Sequence, residues 1–453
     1  MKYSIFFLAF VIVLGACSKD PLNQEPISQI SETQFYNSTE ELEWATIAIY
    51  DGLQDVPLRE FAITEMRSDN ARSNSGEGDW GQFDSWTVRP TNQQVGTYWT
   101  VNYNVIFRAN RVLENLDAVD VPSLKLQFEG EAKFCRALSH FNLVRAYGDI
   151  PILDREIERD ESEFFERDPD AEVKAFITQD LEEAAMLLPA KGALVFGRAT
   201  SEAANALLAK VYLNTGNYSG AESILASLIA NPNYALEENY RDVFYSEGND
   251  EIIFAIPYIN DDGNESQDFS FEMTAGGVRS GLNYLTDDFI ANLIPNDAER
   301  LPVLQNSDNL EENGKFMTTS SDVRLCGNDW IVLRLADVYL LHIEAIMAGQ
   351  LATQNLDAIA SFNAIRGRVG LDSVAMDGTG EITLDMLLNE RRYELAFENH
   401  RLYDLIRTGQ AQTVLTNFGN NEGYLFSSTD LLLPIPQGEI NVSGGLLSQN
   451  PGY

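Results

Sequence analysis

Along most of the chain apolar residues recur every three or four positions, the period of a helix with one face turned to a core. The pattern predicts helices over 39–55, 94–117, 124–147, 171–187, 200–215, 217–230, 330–349, 352–369 and 383–407. Between them, 56–93, 148–170, 231–329 and 408–453 lose the period and are rich in Gly, Asn, Asp, Ser and Pro. These stretches are long for plain connections, so they either carry short strands or carry function.

Two of the helical stretches resemble each other. Leu208-Ala209, Tyr212, Gly216, Tyr218 and Ala221 have the spacing of a tetratricopeptide helix pair, where small residues allow close approach and aromatics fill the gap. Leu335-Ala336, Tyr339, Ala345 and Gly349 repeat the theme. They stand too far apart for a tandem array. The pattern therefore predicts a mostly α fold, a scaffold of helix pairs with 56–93 and 231–329 as excursions over one side of it.

The first twenty residues read differently. "MKYSIFFLAFVIVLGACSKD" has a basic Lys2, then an apolar run from Ile5 to Leu14 that is too short to span about 30 Å of bilayer. "Leu14-Gly15-Ala16-Cys17" has the form of a lipobox, which would make 1–16 a lipoprotein signal peptide and Cys17 the lipidated first residue. A polar tether over 17–30 and one domain over 31–453 would follow.

Charge narrows the partners. With 69 acidic residues against 31 basic ones the formal net charge is −38, which repels phosphate backbones and disfavours nucleic acid. With Cys17 lipidated, Cys135 and Cys326 remain. A buried thiol is the default for Cys135, in a helical pattern, and pairing of the two in an oxidising compartment stays open.

Block by block, the chain resembles the SusD/RagB family of outer-membrane nutrient-binding lipoproteins. The blocks are "YWTVNYNVIFRANRVLENL" (98–116), "EAKFCRALSHFNLVRAYGDIPIL" (131–153), "GRATSEAANALLAKVYL" (197–213), "RLADVYLLHIEA" (334–345), "FNAIRGRVGL" (362–371), "ERRYELAFENHRLYDLIRTG" (390–409) and the closing "LLLPIPQGEI" with "QNPGY". Ile152 stands where leucine is usual, and His342-Ile343 departs from the family's aromatic and alanine. The resemblance implies an α/α body of tetratricopeptide-like pairs held on the cell surface by outer-membrane lipid through Cys17. It implies a partner, a SusC-like TonB-dependent transporter, and an oligosaccharide ligand handed to it. Relatives that serve peptides leave a peptide ligand as the alternative, as does a lid with little affinity of its own.

Catalytic signatures are scarce. His140, His342 and His400 are the three histidines, and their spacing matches no zinc motif; no nucleophile elbow, phosphate loop or dinucleotide fingerprint stands in a fitting context. Glu390, Glu394 and Glu398 would lie about 6 Å apart on a helix, within the reach of glycosidase carboxyls. Successive helical glutamates point the same way, however, and cannot flank a bond. Arg391 and Arg401 stand three positions from Glu394 and Glu398, where pairing would lower a general acid's pKa. The stretch reads as a buried helix of partnered charges. No enzyme and no cofactor is expected. A calcium ion in the Asp- and Asn-rich 260–268 is conceivable but lacks EF-hand spacing.

Ligand candidates lie in the loops. Segment 64–99 holds three of the chain's five tryptophans and offers Asp69, Arg72, Trp80, Trp86 and Trp99. The family resemblance singles out Asp69, Arg72, Trp99 and Asn102. Asn283 and Tyr284 would supply an opposite wall, and Trp330 a third contact. Core packing is the competing reading for Trp99, loop packing for Trp80 and Trp86, and helix capping or packing for Trp330.

Overall fold

A computed structural model describes residues 35–76, 78–157, 161–278, 281–293 and 297–453. The expected signal peptide 1–16, Cys17 and the tether 17–30 lie outside the described residues, as do Arg279 and Ser280 beside the expected Asn283–Tyr284 wall. Among the described residues no helix is long and apolar enough to cross a membrane.

The helices are α1 (Thr39–Gln54), α2 (Pro57–Ile63), α3 (Gly78–Asp84), α4 (Gln93–Glu114), α5 (Pro122–Tyr147), α6 (Asp170–Leu187), α7 (Ser201–Asn214) and α8 (Tyr218–Ile229). Within the long excursion lies α9 (Asp287–Asn292), and after it come α10 (Leu335–Met347), α11 (Leu356–Arg368), α12 (Leu384–Glu394), α13 (Arg401–Arg407), α14 (Ala411–Glu422) and α15 (Gln437–Val442). Side-chain caps set many of their starts: Ser38, Asn92, Thr200, Asn217, Asn355 and Thr383 each accept from the first turn.

Helices α4 to α8 pack each on the next, and α8 packs on α10, which packs on α11. The two tetratricopeptide-like pairs, α7–α8 and α10–α11, are thus neighbours in space despite the excursion between them. The mostly α fold is as expected. At the end of α5, Gly148 (φ 75°) turns the chain, and a Cβ there would meet Leu432 Cδ1 at 2.9 Å.

The excursion carries short strands of its own. β2 (Ile252–Ile256) pairs antiparallel with β4 (Trp330–Arg334), with Ile256 opposite Trp330 and Ile252 opposite Arg334. The helix expected from 330 therefore begins at Leu335. "WIVLR" is rich in apolar and β-branched residues that suit a strand once a partner is beside them. A second ribbon joins β1 (Ala71–Arg72) to β3 (Tyr284–Leu285).

The helix expected over 383–407 is two helices. α12 ends at Glu394, and Phe397 (φ 63°) and Asn399 (φ 62°) take left-handed conformations before α13 begins. The charges of this stretch are buried, as expected, but Glu394 and Glu398 are not paired with Arg391 and Arg401 three positions away. Glu394 meets Arg334 (2.7 Å) and Arg368, and Glu398 meets Arg334 (2.7 Å) and Lys315 (2.6 Å). Arg391 forks onto Asp404 (2.7 and 2.9 Å), and Arg401 onto Asp69 (2.7 and 2.8 Å). Cys135 and Cys326 are both free and buried.

Candidate ligand-binding site

Helix α4 begins at a pinned point. Asn92 Oδ1 accepts from Gln94 N (2.9 Å), while its Nδ2 donates to Asp79 O (2.8 Å) and Gln82 Oε1 (3.1 Å), tying the helix to α3. From there Trp99, Tyr103 and Phe107 follow at every fourth position and share one face. They line a cleft of about 450 Å³. The row rises from floor to rim: Trp99 is 4% exposed, Tyr103 half-buried and Phe107 47% exposed. Trp99 is wedged between Tyr103 (4.9 Å) and Tyr147 (5.0 Å), and Tyr103 Oη donates to Pro151 O (2.9 Å). The aromatic floor is therefore rigid.

Pro151, Leu153, Phe164 and Phe165 form the facing wall, and Glu439 and Leu447 come from the C-terminal segment. Arg155 lies 4.7 Å over the Phe164 ring and pairs with Glu161. Burial pushes the Glu439 carboxyl above its ordinary pKa.

At Thr100 and Glu439 the cleft runs into a second groove of about 590 Å³. Gln93, Thr97, Gln437 and Asn441 bring polar side chains to a lining that also includes Pro90, Val101 and Pro436. Gln437 N donates to Pro90 O (2.8 Å), which fixes the spacing of its two walls. The whole is one trough along α4, aromatic at one end and rich in hydroxyls and carboxamides at the other. Such a trough offers flat apolar faces and uncharged donors and acceptors to an elongated polar ligand.

Of the residues expected at a site, Trp99 alone lines this trough. Asn102 is fully buried and does not line the trough; its Nδ2 donates to Tyr98 O (2.9 Å). Asp69 is buried in the Arg401 fork and also approaches Arg392 (3.3 Å). Burial would raise its pKa, but Arg401 and then Arg392 hold it well below the usual range.

Arg72 and Tyr284 are brought together as a cross-strand pair, the guanidinium 5.9 Å from the ring centroid, and Arg72 also pairs with Glu311 (3.5 Å). Tyr284 is 2% exposed and its Oη donates to Glu312 (3.2 Å). Asn283 (φ 52°) is buried and gives its amide to Phe61 O (2.5 Å). Trp80 is half-buried on Phe61 (6.1 Å) and Phe83 (6.0 Å).

Trp86 and Trp330 lie in the body. Trp86 donates Nε1 to Arg67 O (3.2 Å) and packs edge-on to Phe426 (4.9 Å). Trp330 stacks on Phe316 (5.4 Å) within the β2–β4 ribbon. Sequence reasoning missed Phe107, Phe164, Phe165 and the polar wall from 436–441. The aromatic repeat 99–103–107 was the available signal; the facing walls come from distant segments.

In the 260–268 segment, Asp261 accepts from Ser321 N (3.1 Å) and Asp322 N (2.8 Å), and Asp262 from Asn264 N (2.8 Å) and Glu265 N (3.1 Å). Their carboxylates brace the loop. Among the described residues no group of three His, Cys, Asp or Glu is arranged to hold a metal.

Comparison with known proteins follows the same outline. Residues 304–453 match a family model described as "SusD family", and residues 21–213 match one described as "Starch-binding associating with outer membrane". SusD-like protein P38 of Formosa agariphila is 28% identical over 477 residues, covering 91% of this chain and 92% of that protein. SusD-like protein P2 of the same organism is 25% identical over the full length of both. A solved structure titled "Laminarin binding SusD-like protein" superposes with TM-score 0.75 at 27% identity, covering 92% of this chain and all of that one. Surface glycan-binding protein A from Bacteroides thetaiotaomicron, in complex with laminarihexaose, shares the fold at 23% identity and TM-score 0.73, over 91% of this chain and 99% of that one. With family matches over 21–213 and 304–453, relatives along the whole length and a solved relative of the same fold, this chain belongs to the SusD/RagB family.

Proposed function

We propose that the protein binds glycan at the cell surface and delivers oligosaccharide to a SusC-like TonB-dependent transporter. One domain over 31–453 would do the binding, held to the outer membrane by a tether and the lipid on Cys17. The observation that carries the reading is the trough along α4. Trp99, Tyr103 and Phe107 offer faces on which pyranose rings stack, and the groove through Thr100 to Gln437 and Asn441 offers hydroxyls and carboxamides to sugar hydroxyls. Relatives titled as laminarin-binding or bound to laminarihexaose support the ligand class.

The test is calorimetry with laminarihexaose, maltohexaose, cellohexaose and mannohexaose, together with a peptide pool. Saturable binding of one saccharide, weakened in Phe107→Ala, is expected. Binding of peptide alone would replace the reading with the peptide alternative. Co-purification of a TonB-dependent barrel from solubilised outer membrane tests delivery, and its absence would count against that part.

The Arg72–Tyr284 pair favours a second reading, because the two side chains meet across the β1–β3 ribbon and the Arg72 side chain remains 28% exposed. Arg72→Ala with Phe107→Ala separates the two: whichever variant loses saccharide affinity marks the site.

A further inference from the structure

A second cleft, of about 650 Å³, opens between α9, α11, α12 and α14 and shares no lining residue with the trough along α4. Its floor is made of charges already closed on one another: Asp69 in the Arg401 fork, Asp288 with Arg392 (2.8 Å), and Glu390 with Arg366 (3.0 Å). An anionic ligand would have to break one of these pairs, which the buried partner resists.

The walls are different. The exposed carboxamides of Asn389, Asn417 and Asn421 line the cleft and make no side-chain hydrogen bond among the described residues. Asn417 and Asn421 are one turn apart on α14 and present the same face. Each carboxamide holds two N–H donors beside a carbonyl acceptor, the set that adjacent sugar hydroxyls can engage together. Phe418, Met386 and Val414 place apolar surface between them.

We propose that this cleft is a second site for a neutral saccharide, independent of the trough. The inference rests on the reading that the protein binds glycan. A polar ligand without net charge suits a floor of closed ion pairs under unpartnered amides, whereas a peptide's C-terminal carboxylate would find Arg366, Arg392 and Arg401 already engaged; the exposed Asp372 is the lining carboxylate outside those pairs.

The experiment titrates the same four hexasaccharides into the wild type, Phe107→Ala, the double variant Asn389→Ala/Asn421→Ala, and the triple variant. Both asparagines are exposed, so the fold should stand, and an unchanged melting temperature verifies it. In Phe107→Ala a residual class of binding is expected, and in the triple variant that class weakens at least five-fold. If the double variant titrates as wild type and the triple as Phe107→Ala, or if Phe107→Ala abolishes all binding, the second site is refuted while the trough stands. If the wild type binds none of the saccharides, the glycan reading fails and this inference with it.

Discussion

The Glu65 carboxylate accepts the backbone N–H of Phe397 at 3.0 Å and, through its other oxygen, that of Asn399 at 3.2 Å. These are the two left-handed residues between α12 and α13, a conformation that costs a non-glycine residue roughly 1–2 kcal/mol. Glu65 is 1% exposed and also accepts from Asn70 Nδ2 (2.9 Å). A residue near the start of the domain thus dictates a turn more than three hundred positions later.

Glu65→Gln keeps the shape but replaces one acceptor oxygen with a donor amide. One turn N–H is then left without a partner in the interior, and a loss of about 1–3 kcal/mol is expected in urea unfolding. An unaltered midpoint would remove Glu65 from the support of the turn.

Arg334, 1% exposed, serves Glu251 (2.8 Å), Glu394 (2.7 Å) and Glu398 (2.7 Å) at once. Arg334→Met should cost about 3–5 kcal/mol by removing the buried cation these carboxylates share, with Arg368 and Lys315 left to hold them. Because the partners form one network, Arg334→Met/Glu398→Gln should cost less than the sum of the single changes. Additive losses in a double-mutant cycle would contradict the network.

Phe107 is the exposed end of the aromatic row, and Trp99 the buried end. Phe107→Ala is expected to weaken saccharide binding by about 1 kcal/mol, roughly five-fold, with an unchanged melting temperature. Trp99→Ala should lower both affinity and stability, since Trp99 also packs on Tyr147. Binding that survives both changes would move the ligand out of the trough.

Stability should fall toward both ends of the pH scale. Burial would raise the Asp404 carboxyl, but Arg391 and Arg407 hold it at about 2, so its stabilisation is present above the unfolded value near 4 and is lost as pH drops toward 2. Asp329 is pushed up to about 7, first by burial and then by Glu247. Its contribution is fully present below about pH 4 and disappears as pH rises through 7. Asp329→Asn should therefore flatten the decline in melting temperature between about pH 5 and pH 8. An identical decline in the variant would assign it to another group.

Local features were readable where a local cause acts. The expected helices 39–55, 171–187 and 217–230 lie within a residue or so of those observed, because apolar period and caps are both local. "WIVLR" was read as helix because its strand partner, Ile252–Ile256, is remote in sequence. The break at 395–400 was invisible because nothing in "LAFENH" itself demands it; the cause is Glu65. The site was half legible for the same reason. Trp99 belongs to a periodic helix, while the walls opposite it arrive from 151–165 and 436–447. Trp86 and Trp330 look like ligand aromatics in a polar stretch, yet Phe426 and Phe316 claim their faces.

The order in which the charge network is synthesised has a consequence of its own. Glu65, Asp69 and Glu251 leave the ribosome long before Arg334, Arg368 and Arg401, the cations they or their neighbours will meet. Until then the carboxylates have every reason to stay in water, and the segments that carry them cannot settle. Residues 334–453 therefore act as a completion signal: a chain cut short of them keeps its acids hydrated and its scaffold open, because the cations that close the network have not yet arrived.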